Sequence, residues 1–113
     1  MDIDRREALI NRYIEALDTN DVALFGELIS DDFVYYYTDE VYRGREATLA
    51  FLEHDRNVES DHEFVRILHD EDCSIGHGRA TVTTPTETFE AEMCDLFTFD
   101  DDRLASVKIF PRS

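Results

Sequence analysis

The chain has 113 residues, 42% of them hydrophobic, with 27 acidic side chains against 11 basic ones and a net charge of −16. That length suits a single domain, 1–113, which on folding buries about two-thirds of the surface its extended chain exposes; eight Phe and five Tyr are too many for a disordered acidic tail. The charge excludes nucleic acid and anionic membrane surfaces as partners, since both are bound through clustered Lys and Arg.

The first third of the chain reads as helix. Asp4 followed by Glu7 has the form of a capping box, and Ile10, Tyr13, Ile14 and Leu17 recur at helical spacing. Thr19-Asn20-Asp21 breaks that helix and caps a second one, whose apolar stripe is Leu24, Phe25, Leu28 and Ile29. So short a connection makes the two helices packing neighbours. The period then changes: residues 33–37 are β-branched or aromatic, and a second short strand follows at Val41-Tyr42. Gly44 opens a third helix over 45–56, with Ala47, Phe51 and Leu52 on one side.

From there the chain alternates to its end, which predicts strands at 62–69, 74–84, 87–99 and 103–110 joined by turn-prone Asp-, Pro- and Thr-containing segments. Helices first and a meander afterwards make an α+β fold, an antiparallel sheet covered on one face by helices. Alternation puts Phe89, Ala91, Met93, Asp95, Phe97 and Phe99 on one face of the third long strand. Asp95 therefore lies between Met93 and Phe97 on the more apolar face, where an ionised carboxylate costs several kcal/mol unless paired or protonated. Desolvation there raises its pKa and makes it a hydrogen-bond donor. In the preceding strand Gly76, Gly78, Ala80 and Val82 share one face, and His77 and Arg79 the other.

Other signals are bland. The amino-terminal residues Met1-Asp2-Ile3-Asp4-Arg5-Arg6-Glu7 lack the basic and apolar regions of a signal peptide, and no apolar run approaches a membrane span, so a cytoplasmic protein with reduced Cys73 and Cys94 is expected. His54, His62, His69 and His77 do not have metal-ligand spacing, and no phosphate loop or cofactor fingerprint is present, so no metal and no cofactor are expected. The acids are fifteen Asp and twelve Glu, while Lys108 is the one lysine. That composition looks like that of proteins from salt-loving microbes, whose surface self-repulsion is screened in molar salt over a Debye length of about 3 Å.

The run Asn11-Arg12-Tyr13-Ile14-Glu15-Ala16-Leu17, then Asn20-Asp21, Ile29-Ser30-Asp31-Asp32-Phe33, Tyr42-Arg43-Gly44-Arg45-Glu46-Ala47 and Cys94-Asp95-Leu96-Phe97-Thr98-Phe99-Asp100 together resemble the SnoaL-like branch of the nuclear transport factor 2 (NTF2)-like superfamily. The resemblance implies a cone in which three N-terminal helices pack against a curved, mainly antiparallel sheet that encloses a pocket, and commonly a homodimer through the outer sheet face. Superfamily members include isomerases, cyclases, hydrolases and non-catalytic binders. The resemblance to ketosteroid isomerase is sharper at single residues: Tyr13 falls at its oxyanion-hole tyrosine, Asp95 at its neutral aspartic acid and Phe51 at a pocket phenylalanine. The place of its general base is taken by Tyr37, and Asp39 or Glu40 reaches that space only if the loop shifts. Epoxide hydrolysis in the superfamily uses an inward Arg between two Asp, whereas Arg79 faces outward.

Two functions follow. The first is a binding protein with no chemistry of its own, whose apolar pocket, formed by Tyr13, Tyr37, Phe51, Met93, Asp95 and Phe97, takes a small hydrophobic or carbonyl-containing molecule. The second is an isomerase, cyclase or hydratase in which Tyr13 and neutral Asp95 polarise an oxygen and Asp39 or Tyr37 moves the proton.

Overall fold

The computed structural model describes residues 1–111. Helix α1, Ile3–Asp18, begins two residues earlier than the Asp4–Glu7 pair implies, because Asp2 is the cap: its carboxylate accepts from the Arg5 amide at 2.8 Å. Leu9, Ile10, Tyr13, Ala16 and Leu17 form its buried stripe. Asn20, with φ of 54°, turns the chain, and the Asp21 carboxylate accepts from Leu24 N to start α2, Val22–Leu28.

Strand β1, Ile29–Tyr37, follows α2 without a loop and starts four residues before the aromatic run. Ile29 is fully buried and pairs with Leu104, so tertiary pairing extends the strand through the polar Ser30-Asp31-Asp32 segment that breaks its pattern in sequence. Strand β2, Glu40–Arg43, returns antiparallel across a turn in which Thr38 has φ of 55°. Gly44 sits at φ of 92°, in the region that favours glycine, and its amide donates to Phe33 O at 2.7 Å. The third helix spans nearly the expected residues but is not α-helical throughout: α3 covers Arg45–Ala50, then widens to a π-helical turn, Phe51–Asp55, closed by Arg56 N on Phe51 O. The turn stacks Phe51 on Tyr42 with 4.2 Å between centroids.

Four long strands complete the sheet: β3, Glu59–His69; β4, Cys73–Thr83; β5, Thr88–Asp100; and β6, Arg103–Pro111. The order is β2-β1-β6-β5-β4-β3, antiparallel throughout except where β1 runs parallel to β6. Curvature comes from β3, whose register with β4 shifts between Phe64 and Arg66. Gly76 and Gly78 permit it: a Cβ on Gly78 would fall 1.9 Å from Glu63 O, and one on Gly76 2.7 Å from Phe64 Cε1. The core is an aromatic cluster of Tyr13, Phe25, Phe33, Tyr35 and Phe97, with Tyr13 edge-on to Phe97 at 5.4 Å. Buried Arg6 ties α1 to the β3–β4 hairpin by donating to the carbonyls of Asp70, Glu71 and Cys73 while lying over the Phe99 ring. No helix among the described residues is long and apolar enough to cross a membrane.

Candidate functional site

The concave face of β3, β4 and β5 and the inner edge of β1 enclose a cavity of about 330 Å³. Leu17, Val58, Ala80, Val82, Phe89 and Met93 form most of its wall, and the polar groups in it are Asp95, Tyr35, Tyr37, Ser60, His62 and Arg56. Glu92, Thr38 and Thr84 add further polar groups to the lining. A mostly apolar concavity with a few convergent polar groups is the usual form of a small-molecule site.

Asp95 is the most constrained of these groups. It is 2% exposed, and its Oδ1 has no hydrogen-bond partner. Burial pushes its pKa up from the ordinary carboxylate range to about 7. Nearby, the Tyr13 and Tyr35 hydroxyls are 2.8 Å apart and hydrogen-bonded to each other. Both phenols are fully buried, and desolvation raises both pKa values, with the Asp95 charge adding to the effect. Tyr13 thus stands one layer behind the cavity, and the hydroxyl partner it has in the wall is Tyr35, with Tyr37 beside it.

The other expected site residues separate in space. Met93 and Tyr37 line the cavity beside Asp95. Phe51 and Phe97 do not: Phe51 packs between Tyr42 and Tyr37, and Phe97 between Tyr13 and Phe64. Asp39 is exposed in the β1–β2 turn, where it accepts from Thr38 Oγ1 at 3.0 Å, and it is not in the cavity wall. The loop shift that would bring it inward does not occur. His77 and Arg79 lie with Val65 in a shallow groove on the outer face of the sheet.

The structure adds a group that sequence reasoning missed. At the end of α1, Asp18 Oδ1 lies 2.5 Å from His62 Nδ1, and its Oδ2 accepts from the His62 amide at 2.9 Å. Ser60 Oγ donates to the same carboxylate at 2.9 Å, and Arg56 Nη2 donates to Ser60 Oγ at 2.9 Å. The alternation of β3, which turns Ser60, His62 and Phe64 inward together, is the signal that could have found His62. Nothing local marks Asp18, which reaches His62 only through the fold. Among the described residues no group of three or more His, Cys, Asp or Glu side chains is placed to hold a metal ion.

The family model for the SnoaL-like domain matches residues 10–107. The chain belongs to the SnoaL-like family. No curated protein matches its sequence. Among solved structures, this SnoaL-like chain is similar to an LEH-like epoxide hydrolase from M. tuberculosis, with a TM-score of 0.85 and 18% identity over 96% of this chain and 84% of that one. A candidate polyketide cyclase from Sinorhizobium meliloti gives 0.76 and 20% over 91% and 94%. A candidate ketosteroid isomerase from Kribbella flavida gives 0.77 and 20% over 97% and 79%. At such identities the likeness establishes the NTF2-like cone and leaves the chemistry to the site.

Proposed function

We propose that this SnoaL-like protein binds a small, largely apolar molecule carrying a carbonyl group, with the Asp95 carboxyl donating a hydrogen bond to the carbonyl oxygen. One observation carries the reading: a carboxyl buried to 2% exposure, with an unpartnered oxygen, in the wall of an otherwise apolar cavity. A buried polar group without a partner costs about 1–3 kcal/mol, which a ligand acceptor would recover. Burial keeps the proton on Asp95 up to about pH 7, so the group offers a donor where an ordinary aspartate offers only acceptors. The neighbours' names, epoxide hydrolase, polyketide cyclase and ketosteroid isomerase, span several reactions and support a pocket for small organic molecules without choosing among them.

The test compares the bicyclic ketone 2-tetralone with its hydrocarbon counterpart tetralin by titration calorimetry. The wild-type chain is expected to bind the ketone about tenfold more tightly than the hydrocarbon below pH 7, the worth of one hydrogen bond to a buried donor. The preference should fade as Asp95 ionises above pH 7, and Asp95→Leu should abolish it at every pH. Equal affinities for the two compounds in the wild type, or an unchanged preference in Asp95→Leu, would contradict the proposal.

A further inference from the structure

Three buried side-chain polar atoms have no hydrogen-bond partner among the described residues: Arg6 Nε, Arg56 Nε and Asp95 Oδ1. Arg6 belongs to the clamp on the β3–β4 hairpin and is not in the cavity wall. Arg56 and Asp95 both line the cavity, so the unsatisfied groups there are a cation and a carboxyl. They stand at different levels of it. Arg56 Nη2 donates to Ser60 Oγ, Ser60 pairs with Val82 of β4, and Asp95 pairs with Gly76, six residues back along that strand. At about 3.3 Å per residue this is about 20 Å of strand. The guanidinium does not relieve Asp95, whose raised pKa has burial as its cause.

Arg56 also borders an open hollow of about 460 Å³, lined further by Asn20, Asn57, Glu59 and Thr83, and it belongs with Val58 and Thr84 to both spaces. The inner wall is mostly apolar, while amides and hydroxyls dominate the outer one. Part of the half-buried guanidinium serves the fold: Nη1 donates to Leu17 O at 3.4 Å and to Asn20 Oδ1 at 3.0 Å, closing the end of α1. A guanidinium has five N–H donors. These bonds and the one to Ser60 use three, leaving Nε and one on Nη2. Among the described residues no carboxylate pairs with Arg56 directly, and Asp18 is reached only through Ser60 Oγ. Glu59, the one acid among the described residues lining the hollow, is exposed.

We propose that Arg56 determines specificity by binding the carboxylate of a ligand that lies along the cavity with its carbonyl at Asp95. The ligand class is then an oxo acid, with acid and carbonyl at opposite ends of an apolar body. The proposal rests on the carbonyl-binding reading of Asp95 and adds the other end of the molecule. A carboxylate at Arg56 meets unused N–H donors in a partly desolvated setting, where a charge-assisted hydrogen bond is stronger than in water. Its polar surroundings in the hollow, Asn20, Asn57 and Thr83, suit a hydrated anionic head, and the apolar wall suits the chain behind it. The sign of the effect is diagnostic. A chain of net charge −16 repels anions through its general field, so any preference for an acid has to be made locally.

The experiment titrates the chain with 9-oxodecanoate, its methyl ester and methyl decanoate by calorimetry at pH 6 and fixed ionic strength. At that pH the ligand acid is ionised and Asp95 still holds its proton. The ester keeps the ketone and the chain without the charge, and methyl decanoate lacks the ketone. The wild-type chain is expected to bind the acid about tenfold more tightly than the ester. Arg56→Gln should bind acid and ester alike, and Arg56→Lys, which keeps the charge, should retain a preference for the acid. Equal or weaker binding of the acid in the wild type overturns the proposal, and that comparison decides the matter even if Arg56→Gln does not fold. A preference that survives in Arg56→Gln overturns it too. In either case the carbonyl pocket stands if the ester outbinds methyl decanoate. An ester that binds no better than methyl decanoate removes the carbonyl reading, and this proposal with it.

Discussion

At Asp95 the fold accepts a local cost. The side chain is held among apolar neighbours on the inner face of β5, and the two hydroxyls nearest in chemistry, Tyr13 and Tyr35, are spent on each other. Burial alone raises its pKa to about 7, with no relieving partner. The native state therefore holds a proton that the unfolded chain releases in the ordinary carboxylate range. The unfolded state binds fewer protons through that window, so this residue's contribution to stability falls as pH rises from about 4 to 7 and is flat above. Asp95→Asn removes the titration and keeps the shape. The variant is expected to gain stability over wild type between those pH values, by on the order of 4 kcal/mol in total, read from chemical denaturation at pH 4 and pH 8. A difference between the two proteins that does not change with pH would mean that Asp95 is not buried as an acid.

At the scale of elements, the glycines of β4 do what no pattern of hydrophobicity reveals. Gly76 and Gly78 let β3 cross close over β4, and the resulting bulge bends the sheet around the cavity. Gly78→Ala would push a methyl group into the Glu63 carbonyl, which belongs to backbone and cannot swing aside. A loss of about 2–4 kcal/mol is expected in thermal or chemical unfolding. A loss below about 0.5 kcal/mol would show that the strand separation is not set there. The helices and long strands were legible in the sequence because their periods are clean: Ile10, Tyr13 and Leu17 on α1, and Met93, Asp95 and Phe97 on β5. The start of β1 was not, since Ser30-Asp31-Asp32 reads as a break and only pairing with β6 makes it strand. Nor was the π-helical turn, which is set by Phe51 docking on Tyr42.

Across the whole molecule the candidate site divides along the same line. Asp95 could be singled out because a carboxylate in an apolar alternation is anomalous within a single strand. Met93 follows from the same alternation, whereas Tyr37 came from the resemblance to ketosteroid isomerase, and Tyr35, two residues before it on β1, was not singled out. Phe51 and Phe97 were natural pocket candidates, but the aromatic core absorbs both. The Asp18–His62 pair joins residues 44 apart in the chain, and only the packing of the end of α1 against β3 creates it. Most of the 27 acidic side chains say nothing about the site; Asp39 belongs with them, exposed in its turn. Two carboxylates stand apart from that crowd, Asp95 buried with an unpartnered oxygen and Asp18 hydrogen-bonded to an imidazole.

The central claim is that Asp95 is a neutral acid at the wall of a cavity, and the most direct measurement is its own titration. The side-chain carboxyl carbon of Asp95, assigned in a ¹³C-labelled sample by its absence in Asp95→Asn, is followed by NMR from pH 3 to pH 9. The account predicts a midpoint near pH 7, about three units above the ordinary aspartate value. A midpoint near 4 would mean that water reaches the carboxylate, and would contradict the claim.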